Sequence, residues 1–528
     1  MKILPFVAIG LLCCVPRLAT AAGATANEQV FRYENVLGTS LELKVISDSP
    51  GEAGRAETAA LAEIERLAHI LSTYEASSEM SRWLRTSAAS VRISAELYEV
   101  LGLFDQWRTR SDGALDPAAE NICQMWKAAA AQDRLPAPAA IAAAVVAVKQ
   151  PHWSLNQAAR TATHLTSVPL VFNSFAKSYI ISHACDAAMA AAKVDAMVVN
   201  SGGDLVVRGD LTEIVRITDP KADAENDPPV ASVRVRGRAV ATSGNYRRGV
   251  VIGGKWFSHI VDPRSGQPVA HVLSATVVAP SATDAGALAT ACCVLQPEES
   301  LRLVASRPDA QCLLLTQDGR SIASKGWKLL EMPVATDDTR GLLSARQPAF
   351  LIDTATPPPA VAGAPASNVK AQWDEATELV VNLELSRMEG RRGTRPFVAV
   401  WIEDADKYPV RTLALWFTGT RWLADLKGWN RGEQLRALAE ATDLTRSVSS
   451  ATRPAGKYAL KWDGKDNSGK FVKSGKYTVN IEAVREHGTY QIIRQELDCS
   501  GTPAKVELKG NAEVSAASLD YHRKGDGL

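Results

Sequence analysis

Along residues 57–72 the run ETAALAEIERLAHILS places apolar side chains three and four positions apart, which predicts an amphipathic helix. SAELYEVLGLFDQWRT, residues 94–109, repeats that pattern with Ser94 placed as its N-cap. DAMVVNSGGDLVVRG (195–209) reads instead as two strands joined by a tight Ser-Gly-Gly-Asp turn, and LSATVVAPSATDAGALATACCVL (273–295) as strand, turn and helix. This mixture over residues 27–335 predicts a domain that combines helices and strands, α+β or α/β. The pattern then breaks. TATPPPAVAGAPASN has no period able to build a core, so 336–372 reads as a Pro/Ala-rich linker. Beyond it ELVVNLELS, PFVAVWIED, RTLALWFTG, KYTVNIEAV and YQIIRQEL are short strands, with one helix at RGEQLRALAEAT, predicting a β-sandwich over 373–515. Residues 516–528 read as a disordered tail.

Composition narrows the function. The chain has 528 residues, 46% hydrophobic and 22% charged, and a formal net charge of +1. That is globular protein without the electrostatic footprint of a nucleic-acid or anionic-membrane binder, so a small molecule or another protein is the expected partner. Lys2, the apolar ILPFVAIGLLCCV and the small residues of ATAAGATA make 1–26 a secretory signal peptide by pattern, cleaved after Ala21 or Ala26. A periplasmic, exported protein with no membrane span is expected. Cys123, Cys185, Cys292, Cys293, Cys312 and Cys499 lie beyond that segment, with no zinc-type spacing and room for one disulfide of unspecified pairing.

Candidate chemistry gathers in four turns, each at the end of an apolar strand: LGTS (37–40), NSGGD (200–204), TSGNYRR (242–248) and HIVDPRSGQP (259–268). Such turns let backbone N–H groups approach a phosphate, and nearby arginines can pair with it. A plain hairpin is the competing explanation for each alone.

Taken in order, these pieces resemble the ApbE-type FAD:protein FMN transferases. The resemblance rests on LGTSLELKV, ILSTYEASSEMSRW, SDGALDPAAENICQMW, FAKSYI, VVNSGGDLVVRG, VATSGNYRR, SHIVDPRSGQPV and ATVVAPSATDAGALATA. It implies an α+β flavin-transferase domain that moves FMN from FAD to a threonine of an exported target protein, releasing AMP. It also implies FAD contacts from Thr39, Tyr74, Asp116, Lys177, Gly202, Gly203, Asp204, Ser243, Gly244 and Tyr246. Arg247, His259 and Asp262 fall beside the reacting groups, with His259 the proton acceptor by residue type or a brace of its turn.

Mg²⁺ is implied by the same resemblance, through Ala176, Thr290 and an acid four residues before that threonine. This chain departs there: the position is Gly286, and the acid stands two residues earlier as Asp284. It departs again in LVFNSFAKS (170–178), where Val171, Asn173-Ser174 and Ser178 replace an aspartate and three glycines. Two alternatives therefore stay open: an FAD-binding protein with impaired catalysis that presents its second domain to a redox partner, and an FAD pyrophosphatase. The second domain resembles an exported domain of unknown function and, in WDGKDNSGKFVKSGKYTV, the immunoglobulin-like modules of flagellar-hook-capping proteins. Within it RSVSSAT (446–452) is similar to a flavinylation motif, making Thr452 a possible FMN acceptor in the chain's own C-terminal domain.

Overall fold

The computed structural model describes residues 28–332, except 223, 225 and 247, and 372–525, except 388–394, 418–422, 424, 441–443, 445–448 and 486–489. The proposed signal peptide, nearly all of the linker, Arg247 and Arg446 lie outside the described residues.

The first domain is built on an eight-stranded sheet in the order Glu28–Val36, Thr39–Ile46, Ala196–Ser201, Asp204–Gly209, Ala239–Gly244, Val272–Ala279, Gln311–Thr316 and Ser321–Ala323. Every neighbouring pair is antiparallel. The central strands are apolar on both sides because both faces are covered. Leu43, Met197, Val199, Val206, Val277 and Leu314 point into the main core with the helices Pro50–Leu71, Ala176–Ala191 and Ala282–Val294. Val198, Leu205, Val207, Val240 and Leu313 point the other way, onto the small sheet of Glu213–Ile217, Ala231–Val235 and Glu331–Met332. This is the α+β arrangement.

Local chemistry sets the ends of these elements. Ser49 caps the first long helix by accepting from the Glu52 N–H, with proline at its first turn. Ser94 caps Ala95–Arg110 through the Leu97 N–H, as the sequence predicts. At Gly209 the backbone has φ +79°, and an added Cβ would stand 2.1 Å from the Asp195 carbonyl oxygen. Gly209→Ala is therefore expected to cost about 3 kcal/mol, seen as a lowered midpoint in urea unfolding of the first domain.

The second domain packs a sheet of Gly456–Trp462, Thr377–Leu385, Val514–Arg523 and Ala504–Leu508 against one of Ser449–Ser450, Pro409–Trp416, Phe397–Glu403, Lys476–Val484 and Tyr490–Asp498. Leu379, Val381, Val400, Ile402, Val479, Ile481 and Leu519 share the core between them, around Trp373, Trp462 and Tyr521. The helix Lys427–Glu440 is present, its start held by Glu482 accepting from the Gly428 and Trp429 N–H groups at 2.8 Å each.

The disordered tail expected from residue 516 is corrected. Val514–Arg523 is a ten-residue strand, inserted between Thr377–Leu385 and Ala504–Leu508. Val514, Ala517, Leu519 and Tyr521 point inward, and the Tyr521 hydroxyl donates to Thr377 Oγ1 at 3.1 Å. The sandwich is closed by residues whose small and polar character hides their alternation.

Candidate functional site

Strand register brings the glycine turns together. Leu41 pairs with Ser201, and Ser201 with Asp204, so the turn before Thr39 and the Gly202-Gly203 turn lie at one end of the sheet. Val240 pairs with Leu205, which carries Ser243 and Gly244 past that same end. Gly202 has φ +54° and lies against Thr39, whose Oγ1 would be 2.5 Å from an added Cβ. Gly203, at φ +95°, has open space where a side chain would be. Both need glycine: one for its close approach, both for the left-handed backbone.

Helix Ala176–Ala191 begins at this end without a side-chain cap. Its first turn meets the Gly-Gly turn: Ser178 Oγ donates to Asp204 Oδ2 at 2.9 Å, and Lys177 Nζ lies 3.4 Å from the same oxygen. Burial pushes the Asp204 carboxyl up from the ordinary range, against the pull of Lys177 and Ser178. Before the helix, Asn173 Nδ2 donates to the Tyr74 hydroxyl at 2.5 Å, and Tyr74 is 80% exposed. A large ring so exposed, held at its hydroxyl, leaves its faces open for stacking. The Val171 N–H bonds the Pro117 carbonyl, bringing the 116–121 segment alongside.

The third group comes from the loop after Ala239–Gly244. Asn245 donates through its N–H to Leu273 O, and its side-chain amide donates to Val269 O. Val269 bonds Ile260, so His259 joins the same end. The Tyr246 ring covers Gly244, where a Cβ would come within 2.6 Å of it. His259 Nδ1 is 2.9 Å from the Arg248 carbonyl oxygen, which fixes the proton on Nδ1 and leaves the Nε2 lone pair open. Burial, then the Arg248 charge, lowers the His259 pKa from 6.5, so the ring is neutral at neutral pH.

Three polar groups that sequence reasoning missed stand beside the site's motifs. Thr73 Oγ1, Ser201 Oγ and Asn245 Oδ1 are buried with no hydrogen-bond partner in the described protein. Each is a neighbour in sequence of a turn or ring already singled out: Tyr74, Gly202, Gly244. Buried polar atoms are normally paired, and Trp107 Nε1, His164 Nε2 and Trp327 Nε1 are in the same state elsewhere in the first domain. The only signal in the sequence was that adjacency.

Several of the expected site residues hold partners within the protein. Asp262 chelates the Arg264 guanidinium through both oxygens at 3.0 Å and accepts from the Arg264 N–H. This pairing braces the turn at 262–264. Asp116 is buried, with Arg108 Nε at 2.7 Å and the Ala118 N–H on its other oxygen. Burial, opposed by Arg108, moves its carboxyl up to about 6. It too is a brace, for the segment that meets Val171.

Asp284 does not join Ala176 and Thr290. It pairs with Arg307 at 2.6 Å and lines a different cleft, with Glu99, Tyr179 and His183. The six residues from Asp284 to Thr290 amount to about 9 Å of helix rise and a turn to another face. Thr290 Oγ1 is 3.4 Å from both Ser243 Oγ and the Ser174 carbonyl. At Gly286 an added Cβ would lie 2.5 Å from Ser178 Oγ and 3.2 Å from Phe175 Cα. Among the described residues no three His, Cys, Asp or Glu side chains converge as a metal site. With Gly286 at the acid's position and Asp284 held by Arg307, the residues present do not fit the set of Ala176, Thr290 and an acid that the resemblance implies for Mg²⁺.

Thr452 is 2% exposed, and its carbonyl accepts from Arg395. A hydroxyl so buried would have to be uncovered before it could reach an active site. The six cysteines past residue 26 are free, and all but Cys123 are buried.

Against known protein families, residues 37–314 match the one described as "ApbE family", more than half of the 528-residue chain. The chain belongs to the ApbE family. Residues 378–516 match the family described as "Predicted periplasmic protein (DUF2271)". Among curated relatives, this ApbE protein is 29% identical to the FAD:protein FMN transferase of Treponema pallidum (strain Nichols) over 349 residues, covering 60% of this chain and 93% of that one. It is 27% identical to the FAD:protein FMN transferase of Klebsiella pneumoniae (strain 342), covering 54% and 84% respectively. Among solved structures, the ApbE protein of Thermotoga maritima aligns with TM-score 0.52 at 24% identity, covering 58% of this chain and all of that one. That likeness concerns the fold of the first domain.

Proposed function

We propose that this ApbE protein is an exported FAD:protein FMN transferase. It would attach FMN from FAD to a threonine of a target protein and release AMP. The observation that carries the reading is the convergence at one sheet end of Lys177, the Gly202-Gly203 turn, the exposed Tyr74 ring and the open Nε2 of His259. Curated relatives that bear this activity in their names support it.

Each part has a task. Tyr74 stacks on the isoalloxazine ring. The backbone N–H groups of the Gly-Gly turn and the uncapped helix start at Ala176 face the pyrophosphate, with the Lys177 ammonium beside them. The acceptor threonine's Oγ attacks the FMN-side phosphorus, and the bond from that phosphorus to the bridging oxygen breaks. AMP leaves with that oxygen. His259 Nε2 takes the hydroxyl proton, as a neutral ring whose Nδ1–H stays on Arg248 O. Export is proposed from the N-terminal pattern and the family matched by residues 378–516; no helix among the described residues is long and apolar enough to cross a membrane.

Titrating the full chain with FAD tests the binding half. Flavin fluorescence is expected to fall on binding and recover as AMP is added. Tyr74→Ala is expected to weaken FAD about tenfold, the loss of one stacking contact of about 1.4 kcal/mol. An unchanged affinity would remove Tyr74 from the site; no FAD binding at all would remove the reading.

A further inference from the structure

The two departures in the site are one event in space. Ser178 and Gly286 lie far apart in sequence, on the helices Ala176–Ala191 and Ala282–Val294, yet Ser178 Oγ sits 2.5 Å from the point where a Cβ on residue 286 would begin. A Cβ there requires something to shift, so an acidic side chain at 286 would have to turn the Ser178 hydroxyl off Asp204. Ser178 is 1% exposed, and its hydroxyl is turned onto Asp204, away from any role as a loose filler. Phe175 closes the remaining side, with Cα and Cβ each 3.2 Å from the same point. The carboxylate nearest in sequence, Asp284, is held by Arg307 through a two-nitrogen contact of 2.6 and 3.1 Å. What the site does contain is a cation of its own: the Lys177 ammonium, 28% exposed, 3.4 Å from an Asp204 oxygen that Ser178 also holds.

We propose that Ser178 has taken the space of an acidic metal ligand, and that the Lys177 ammonium, positioned by Asp204, is the resident cation of this site in place of a divalent metal. This rests on the reading of the site as an FAD site. Asp204, fixed by Ser178, orients a single positive charge toward the diphosphate. The serine therefore has two effects: it blocks a carboxylate at 286 and it supplies the hydrogen bond that keeps Asp204 aimed at Lys177. A lysine gives one charge on a flexible stem where a metal would give two at fixed geometry. FAD affinity is then indifferent to divalent ions.

The test is a Mn²⁺ titration of the FAD-loaded full chain, read by the electron paramagnetic resonance signal of free Mn²⁺, beside FAD affinity measured in EDTA and in excess Mg²⁺. The expected result is no stoichiometric Mn²⁺ site and FAD affinities equal within about twofold. Ser178→Gly/Gly286→Asp is expected to gain one Mn²⁺ per chain, while Gly286→Asp alone gains none because Ser178 stands in its way. One equivalent of Mn²⁺ on the unaltered chain, lost in Thr290→Val or Asp204→Asn, would overturn the proposal. So would a Gly286→Asp chain that binds the ion as well as the double variant. The unaltered chain decides the point if a variant fails to fold. A chain that binds no FAD would fail the functional reading separately, since the Mn²⁺ titration can be repeated without flavin.

Discussion

His259→Ala is expected to slow FMN transfer by about 10²- to 10⁴-fold while leaving FAD affinity within about threefold. The split follows from geometry. Nδ1 is committed to the Arg248 carbonyl, so the ring's chemical capacity lies in Nε2, and nothing in the described protein occupies that atom. The pH dependence has a definite sign. The His259 pKa is lowered from 6.5, by burial first and by the Arg248 charge second. A base of lowered pKa loses its lone pair only when pH falls through that lower value, so the acidic limb of the rate profile is expected below pH 6.5 and should vanish in the variant. Stopped assays of AMP release across pH 4.5–8 check both. If His259 served only to brace its turn, the variant would lose stability and FAD affinity together and keep the limb.

Lys177→Met is expected to weaken FAD binding by about 30-fold, the loss of one charge-assisted contact worth about 2 kcal/mol. A second consequence separates this from simple loss of a surface charge. Asp204 is 9% exposed, and its carboxyl is pushed up by burial and held back chiefly by Lys177. Removing the ammonium lets that carboxyl move up further, so FAD affinity in the variant should become more pH-dependent than in the parent. Lys177→Arg should restore part of the affinity, because charge returns but a planar guanidinium does not reproduce the geometry of an ammonium. Isothermal titration with FAD at pH 5.5 and 8 measures each effect.

The site's backbone was legible in the sequence because its glycines answer to local rules. Gly202 and Gly203 adopt positive φ at the turn that NSGGD predicts, and the strands flanking them alternate toward two covered faces. The helices were legible for a similar reason: Ser94 caps its helix through the Leu97 N–H three residues on, a contact within one stretch of chain. What stayed hidden depends on partners that are distant in sequence. Arg307 reaches Asp284 from the turn after the helix Pro297–Ala305, and Ser178 meets Gly286 from the helix Ala176–Ala191. No spacing pattern announces either. Thr452 reads as an open loop by composition, but packing buries it. Residues 516–523 look like tail because Ser, Ala and Asp dilute their alternation; the strand character of Val514–Arg523 comes from Thr377–Leu385, which it pairs along its length.

Mass analysis of an acceptor tests the transferase reading most directly. An exported protein carrying a threonine acceptor segment would be incubated with FAD and the full chain, and the acceptor and released nucleotide measured together. The account predicts an acceptor heavier by one FMN less one water on a threonine, with one AMP formed per modified chain. AMP and free FMN in equal amounts beside an unmodified acceptor would contradict it and identify water as the nucleophile; FAD recovered intact after tight binding would contradict it in favour of a flavin-binding protein.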